Sequence, residues 1–198
     1  EFYADKEEMA MEFAKLLNDE AKTLCDAGID VIQFDEPAFN SFLNESIEWG
    51  MDAMEVAIDG LECKTAIHIC YGYGIEENLN WKKTLGDQWR QYENLFPAIN
   101  QSNIDQVSLE FAGSRVPPKL MRLLPDKEIM AGVISVVGDY IESAEEVEQN
   151  IISVLDHVEA ERLIPCTNCG MAPISVDVAK QKLKALGEGS ERAAKRIS

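Results

Sequence analysis

The chain has 198 residues, with 18 Lys and Arg against 36 Asp and Glu, a formal net charge of −18. So acidic a surface excludes the basic footprint of a nucleic-acid binder; the basic residues that do cluster, from Lys180 to Arg196, read as a solvated helix face. The apolar runs are too short to span a bilayer, and no charged-then-apolar leader opens the chain, so a cytoplasmic, non-membrane protein is expected.

In chain order, the spacing of Met9, Phe13, Leu16, Leu17, Ala21 and Leu24 predicts a helix from Lys6 to Ala27, stopped at Gly28. The apolar run Ile29–Phe34 predicts a buried strand ending in Asp35-Glu36-Pro37. A helix is expected around Asn44–Ala57, then a strand over Thr65–Cys70. A helical stretch around Leu79–Phe96 leads to a strand at Gln106–Phe111, and a short helix around Pro118–Leu124 leads to one at Ile129–Val136. A helix at Ser143–Val158 precedes a strand at Arg162–Thr167. The last helix runs from about Val176 to Leu186, with a basic tail beyond it.

Five strands alternating with helices imply parallel βαβ units. The expected fold class is α/β: residues 1–198 form one partial domain, the C-terminal part (about five βα units) of a TIM (β/α)8 barrel. A whole barrel takes roughly 250 residues. About three N-terminal units, or a second chain that supplies them, are therefore expected to complete it.

The polar residues worth noting gather at the strand C-terminal ends, the edge where such barrels keep their active sites. These are Asp35, His68 with Cys70, Glu110, and Cys166 with Cys169. In His68-Ile69-Cys70 the two ligand-type side chains are i and i+2, so a strand points both to one face. Imidazole nitrogen and thiolate sulfur are both good zinc ligands, although a lone His-x-Cys also occurs as core packing. Cys166-x-x-Cys169 could be a zinc half-site or a redox pair. Redox pairs usually open a helix, whereas this one ends a strand and is followed by Gly170 and Pro173. Glu110 ends an apolar strand, where a carboxylate either faces solvent or needs a partner or a metal. Potential zinc ligands recurring at one rim favour a metal over packing. The odd count of five cysteines, without a secretory context, argues against a disulfide framework and for a reducing compartment.

The segments VIQFDEPAF, AIHICYG, VSLEFAGS and PCTNCGM resemble the C-terminal catalytic domain of cobalamin-independent methionine synthases, in order and approximate spacing over nearly the whole chain. The resemblance implies a methyltransferase that converts homocysteine to methionine. It implies a Zn2+ cofactor on His68, Cys70, Glu110 and Cys169, and it assigns Asp35 to the homocysteine amino group, where a carboxylate suits an ammonium. Cys166 has no ligand counterpart. The implied partners are homocysteine and a methyl donor, either methyltetrahydrofolate or a partner protein. Four protein ligands fill a tetrahedral zinc, so Glu110, the hardest of them, is expected to lengthen its bond or leave when homocysteine binds.

The chain departs from the family in two places. A histidine that the family carries after the fourth strand is absent: Val137 stands near that position, and His157 reads as a surface or capping residue late in a helix. Either the proton is handled differently or the donor is not the usual folate. The stretch from Gly72 to Asn103 is also long. Its Trp81, Leu85, Trp89, Tyr92 and Phe96 read as an amphipathic helix on the barrel or as a lid or docking surface for a methyl-delivering partner. Both departures look more like the short, single-barrel members. Gly72-x-Gly74 lacks the third glycine of a dinucleotide loop and is set aside. The competing readings are a zinc methyltransferase working between a corrinoid protein and another thiol, and a non-catalytic zinc-binding barrel fragment. A decarboxylase on a similar barrel would not need the His/Cys/Glu/Cys set.

Overall fold

Alternation within each strand sets the architecture. The strands are Val31–Asp35 (β1), Lys64–Ile69 (β2), Gln106–Glu110 (β3), Glu128–Ile134 (β4) and Leu163–Thr167 (β5). In the central three, one parity is aliphatic (Ile67 and Ile69, Val107 and Leu109, Ile129, Ala131 and Val133) and is buried under helices. Burying each Val, Leu or Ile of this set contributes about 1.5–3 kcal/mol, enough to fix which face of each strand turns outward. The other parity (Ala66, His68; Gln106, Ser108, Glu110) faces the opposite side. In this computed structural model, residues 2–72 and 76–197 are described; Gly74 of the glycine pair lies outside them.

All four pairings are parallel, and the sheet order follows the chain order, β1-β2-β3-β4-β5. The result is a run of consecutive βα units belonging to a (β/α)8 barrel. Helix α1 (Lys6–Asp26) precedes β1 and is capped by Asp5, whose side chain accepts from Glu8 N. Helix α2 (Leu43–Glu45) passes through a π-helical turn into α3 (Met51–Ile58). Helices α4 (Glu76–Thr84) and α5 (Tyr92–Gln101) link β2 to β3, and a 3-10 turn (Pro118–Leu123) links β3 to β4. Helix α6 (Ala144–Leu155) opens with a capping box made by Ser143 and Glu146, and α7 (Val176–Ile197) closes the described chain.

Three sequence expectations are corrected. The stretch around Leu79–Phe96 is not one helix, because the segment between α4 and α5 is tied to the loop after β3: Trp89 N donates to Arg115 O, and Arg115 Nη1 donates to Gly86 O. Its aromatics turn inward. Tyr71 packs on Trp81 and Trp89 at 5.8 and 4.9 Å between ring centroids, and Tyr92 stacks on Phe96 at 4.6 Å. The last helix does not stop near Leu186 but continues through Gly187 and Gly189 to Ile197. A Cβ at Gly189 would stand 2.5 Å from Val147 Cβ, so the glycine is what lets α7 lie against α6. Finally, Cys25 at the end of α1 and Cys63 before β2 are joined by a disulfide, contrary to the reading from cysteine count. An odd total says nothing about a single pair that the fold brings together. His157 follows α6 rather than lying within it, and it is half-buried.

The outer strands differ from the middle ones. On the two edge strands, Val31 and Ile164 are exposed, and α1 leaves Phe13, Leu16 and Leu17 exposed. Among the described residues, no helix is long and apolar enough to cross a membrane.

Candidate metal centre

Register assembles the site. Asp35 pairs with His68, and His68 with Ser108; one step further along, Glu110 pairs with Gly132, and Gly132 with Cys166. The first row runs from β1 to β3 and the second from β3 to β5, both toward the strand C-terminal ends. Gly132 is required there because a Cβ would come within 2.3 Å of Asn168 Cα and 2.6 Å of Leu109 O. The missing side chain brings the loop that carries Cys169 close to β4.

Two polar clamps hold the ligand-bearing segments. At the end of β2, Asn40 Nδ2 donates to Cys70 O at 2.9 Å, Tyr92 Oη to Ile69 O at 2.7 Å, and Glu36 N to His68 O at 2.9 Å. After β5, buried Asn168 donates through Nδ2 to Ala112 O at 2.9 Å and accepts from Val136 N at 3.0 Å, while its own N–H donates to Ile134 O at 2.8 Å. A buried amide so fully paired fixes its neighbour Cys169 relative to β3 and β4.

The consequence is convergence. One ligand atom each from His68, Cys70 and Cys169 lies within 4.8 Å of the other two, the group among the described residues that could hold a metal ion. His68 Nε2 is 3.2 Å from Cys169 Sγ. A tetrahedral zinc with bonds of about 2.0–2.3 Å separates its donors by roughly 3.3–3.8 Å, so two thiols and an imidazole at these spacings fit one ion. The two sulfurs lie within 4.8 Å of each other and act on each other's ionisation. That contact pulls Cys169 down to about 7, while the same contact and burial push Cys70 well above the ordinary thiol range.

Glu110 is not brought into this group. Buried at the end of β3, its Oε2 accepts from Tyr71 N at 2.8 Å, and its Oε1 stands 3.8 Å from Lys82 Nζ. Burial raises its pKa, and Lys82 opposes the rise. Lys82 also lies 5.3 Å from the centre of the Trp89 ring. Asp35 is exposed on the β1 edge beside His68, its Oδ1 accepting from Gln33 Nε2 at 2.8 Å, and is near enough to Cys169 to oppose ionisation of that thiol. Burial pushes the Cys166 thiol up to about 12, opposed by a hydrogen bond from Ser108. Val137 is exposed on the loop after β4. Sequence reasoning missed Ser108, Lys82 and Asn168. Only Ser108 carried a signal, two residues before Glu110 and therefore on the same strand face.

Fold and site together define a (β/α)8-type rim at which an imidazole and two thiols stand close enough to hold a metal ion. The family model "Cobalamin-independent synthase, Catalytic domain" matches residues 3–192, and the chain belongs to that family. It is 33% identical to a methionine synthase of Saccharolobus islandicus over 193 residues, which are 96% of this chain and 52% of that protein. It is 31% identical to the methionine synthase of Sulfurisphaera tokodaii, covering 96% of this chain and 51% of that one. A solved B12-independent methionine synthase from Shewanella sp. W3-18-1, in complex with selenomethionine, superposes with a TM-score of 0.95 at 53% identity, over 100% of this chain and 58% of that one. The chain thus spans about half the length of the curated relatives it matches.

Proposed function

We propose that residues 1–198 form the metal-bearing part of a methionine synthase that transfers a methyl group to the sulfur of homocysteine. The observation that carries this reading is the convergence of His68, Cys70 and Cys169, from β2 and the loop after β5, on one point. Zinc is the ion this donor set suits, with Glu110 as fourth ligand. When bound, it supplies a Lewis-acid centre that keeps an incoming thiol deprotonated near neutral pH.

The chain's own residues do the rest. Asp35, next to His68 on the neighbouring strand, takes the substrate ammonium and so sets the distance from the amino acid's backbone to its sulfur. Glu110 yields its position to the substrate and rests on Tyr71 N and Lys82, the partners it has here. The sulfur then attacks the methyl carbon as the bond from methyl to donor breaks. Val137 cannot protonate the departing donor, so that proton comes from another group. The donor is methyltetrahydrofolate or a partner-delivered methyl. Further barrel units complete the site beside β1, where an apolar groove lined by Phe13, Leu17, Phe34, Phe39, Phe42 and Trp49 opens next to Asp35.

The test is zinc-edge X-ray absorption on the metal-loaded chain with and without homocysteine. One zinc per chain, with an oxygen replaced by a sulfur on adding homocysteine, is the expected result. No stoichiometric zinc, or an unchanged ligand shell, overturns the reading.

A further inference from the structure

Two polar groups beside the metal centre have no role in the reaction described above: Ser108 and the first thiol of the Cys-x-x-Cys pair. Ser108 faces His68, and Cys166 lies beyond Ser108. The imidazole presents Nε2 to Cys169 Sγ at 3.2 Å and Nδ1 to Ser108 Oγ at 2.9 Å. A ring that gives the Nε2 lone pair to a metal carries its proton on Nδ1, so Nδ1–H donates and Ser108 Oγ accepts. That leaves the Ser108 hydroxyl proton to be given elsewhere, and Cys166 lies near enough to that hydroxyl for it to hold the thiol's pKa down against burial. Gly132, paired with both Glu110 and Cys166, puts no side chain between β3 and β5.

We infer that Ser108 and Cys166 form a relay that fixes the tautomer and ring orientation of His68, with Cys166 accepting from Ser108 and Ser108 accepting from His68 Nδ1–H. Both are positioning residues, and the inference rests on His68 being a metal ligand. A hydroxyl suits the middle position because it accepts and donates at once. Sulfur suits the far end: Cys166 is half-buried and holds its proton at neutral pH, so it adds an acceptor without adding a charge to a site that already has two thiols and a carboxylate. The Cys-x-x-Cys pair therefore divides its work, Cys169 toward the metal and Cys166 toward the histidine that shares it.

The relay is tested on the full chain by long-range 1H–15N NMR of 15N-histidine-labelled protein at mildly alkaline pH. With two histidines in the chain, His157→Gln assigns the His68 signals. The expected result is the Nδ1–H form in zinc-loaded protein. Ser108→Ala should mix the tautomers and weaken zinc binding about 10- to 100-fold in a chelator competition, the usual cost of losing such a partner. Ser108→Thr should restore both, and Cys166→Val should give a smaller loss with the same spectroscopic signature. Circular dichroism confirms that each variant is folded, and Cys166→Val probes the relay from its far end if Ser108→Ala does not fold. An unchanged tautomer and zinc affinity in either variant overturns the relay. A wild-type chain that binds no zinc but loses its Nδ1–H form in Ser108→Ala overturns the metal reading and supports the relay.

Discussion

The middle of the sheet and its first edge are built to different standards. In β2 and β3 every residue but Lys64 is buried, and His68 and Glu110 are each held by a hydrogen bond, to Ser108 and to Tyr71 N. On β1, alternate residues are open, and exposed Asp35 accepts from the Gln33 amide two residues away. The contrast separates two tasks. Ligand geometry is set by residues that the described chain already surrounds, whereas the proposed substrate contact sits where the chain leaves room for more protein.

That difference can be broken most severely at the ligands. Cys169→Ser should abolish zinc retention, a loss of at least about 100-fold, since it removes a ligand rather than a supporting partner; Cys166→Ser should keep most of it. Equal losses measured by metal analysis after dialysis would reverse the assignment of the two thiols. Next in size is packing. Leu109→Ala, in the buried middle, should cost about 2–5 kcal/mol in urea unfolding. Leu16→Gln, on the open face of α1, should stay within about 0.5 kcal/mol in this chain. A large cost at Leu16 in the longer protein would sharpen the contrast by showing that face covered.

Asp35→Asn should weaken homocysteine binding by about 1.5–3 kcal/mol, the range for a hydrogen bond to a charged group, with zinc retained; calorimetry reads both. Loss of zinc in this variant would mean that the edge and the middle are not separable. The smallest effect is in acidity. In metal-free chain, iodoacetamide modification of Cys169 should rise through a midpoint near pH 7, because its pKa is lowered to about 7 and the thiolate fraction grows as pH passes that value. Cys166, held up to about 12, should stay unreactive over the same range. Coincident profiles would contradict the different surroundings described for the two sulfurs.

Much of this was legible in the sequence, for a definite reason. Period-two alternation makes His68 and Cys70 neighbours on one face wherever a strand forms, and the parallel order brings Asp35, Glu110 and Cys169 to the same rim. Residues whose meaning depends on register were not legible. Ser108 gains its role only because it lies opposite His68, Lys82 because α4 passes over Glu110, and Asn168 because its amide reaches two other loops. The same dependence explains the errors. The aromatic spacing from Trp81 to Phe96 is compatible with one helix, and only the bonds to Arg115 show the break. Helix α7 runs past two glycines because Val147 needs the space at Gly189. The Cys25–Cys63 bond joins residues 38 apart, which no local pattern brings together.

The Asn168 clamp has a consequence for how the centre acquires its ion. Small zinc modules are disordered until the metal arrives, and the binding energy is spent on folding them. Here the backbone around Cys169 is anchored by the hydrogen bonds of Asn168 to the loop after β3 and to the end of β4, and β2, which leads to Cys70, is paired on both sides. For the metal proposed here, the donor side chains already stand close together, so its uptake would be a local rearrangement of side chains and not a folding event.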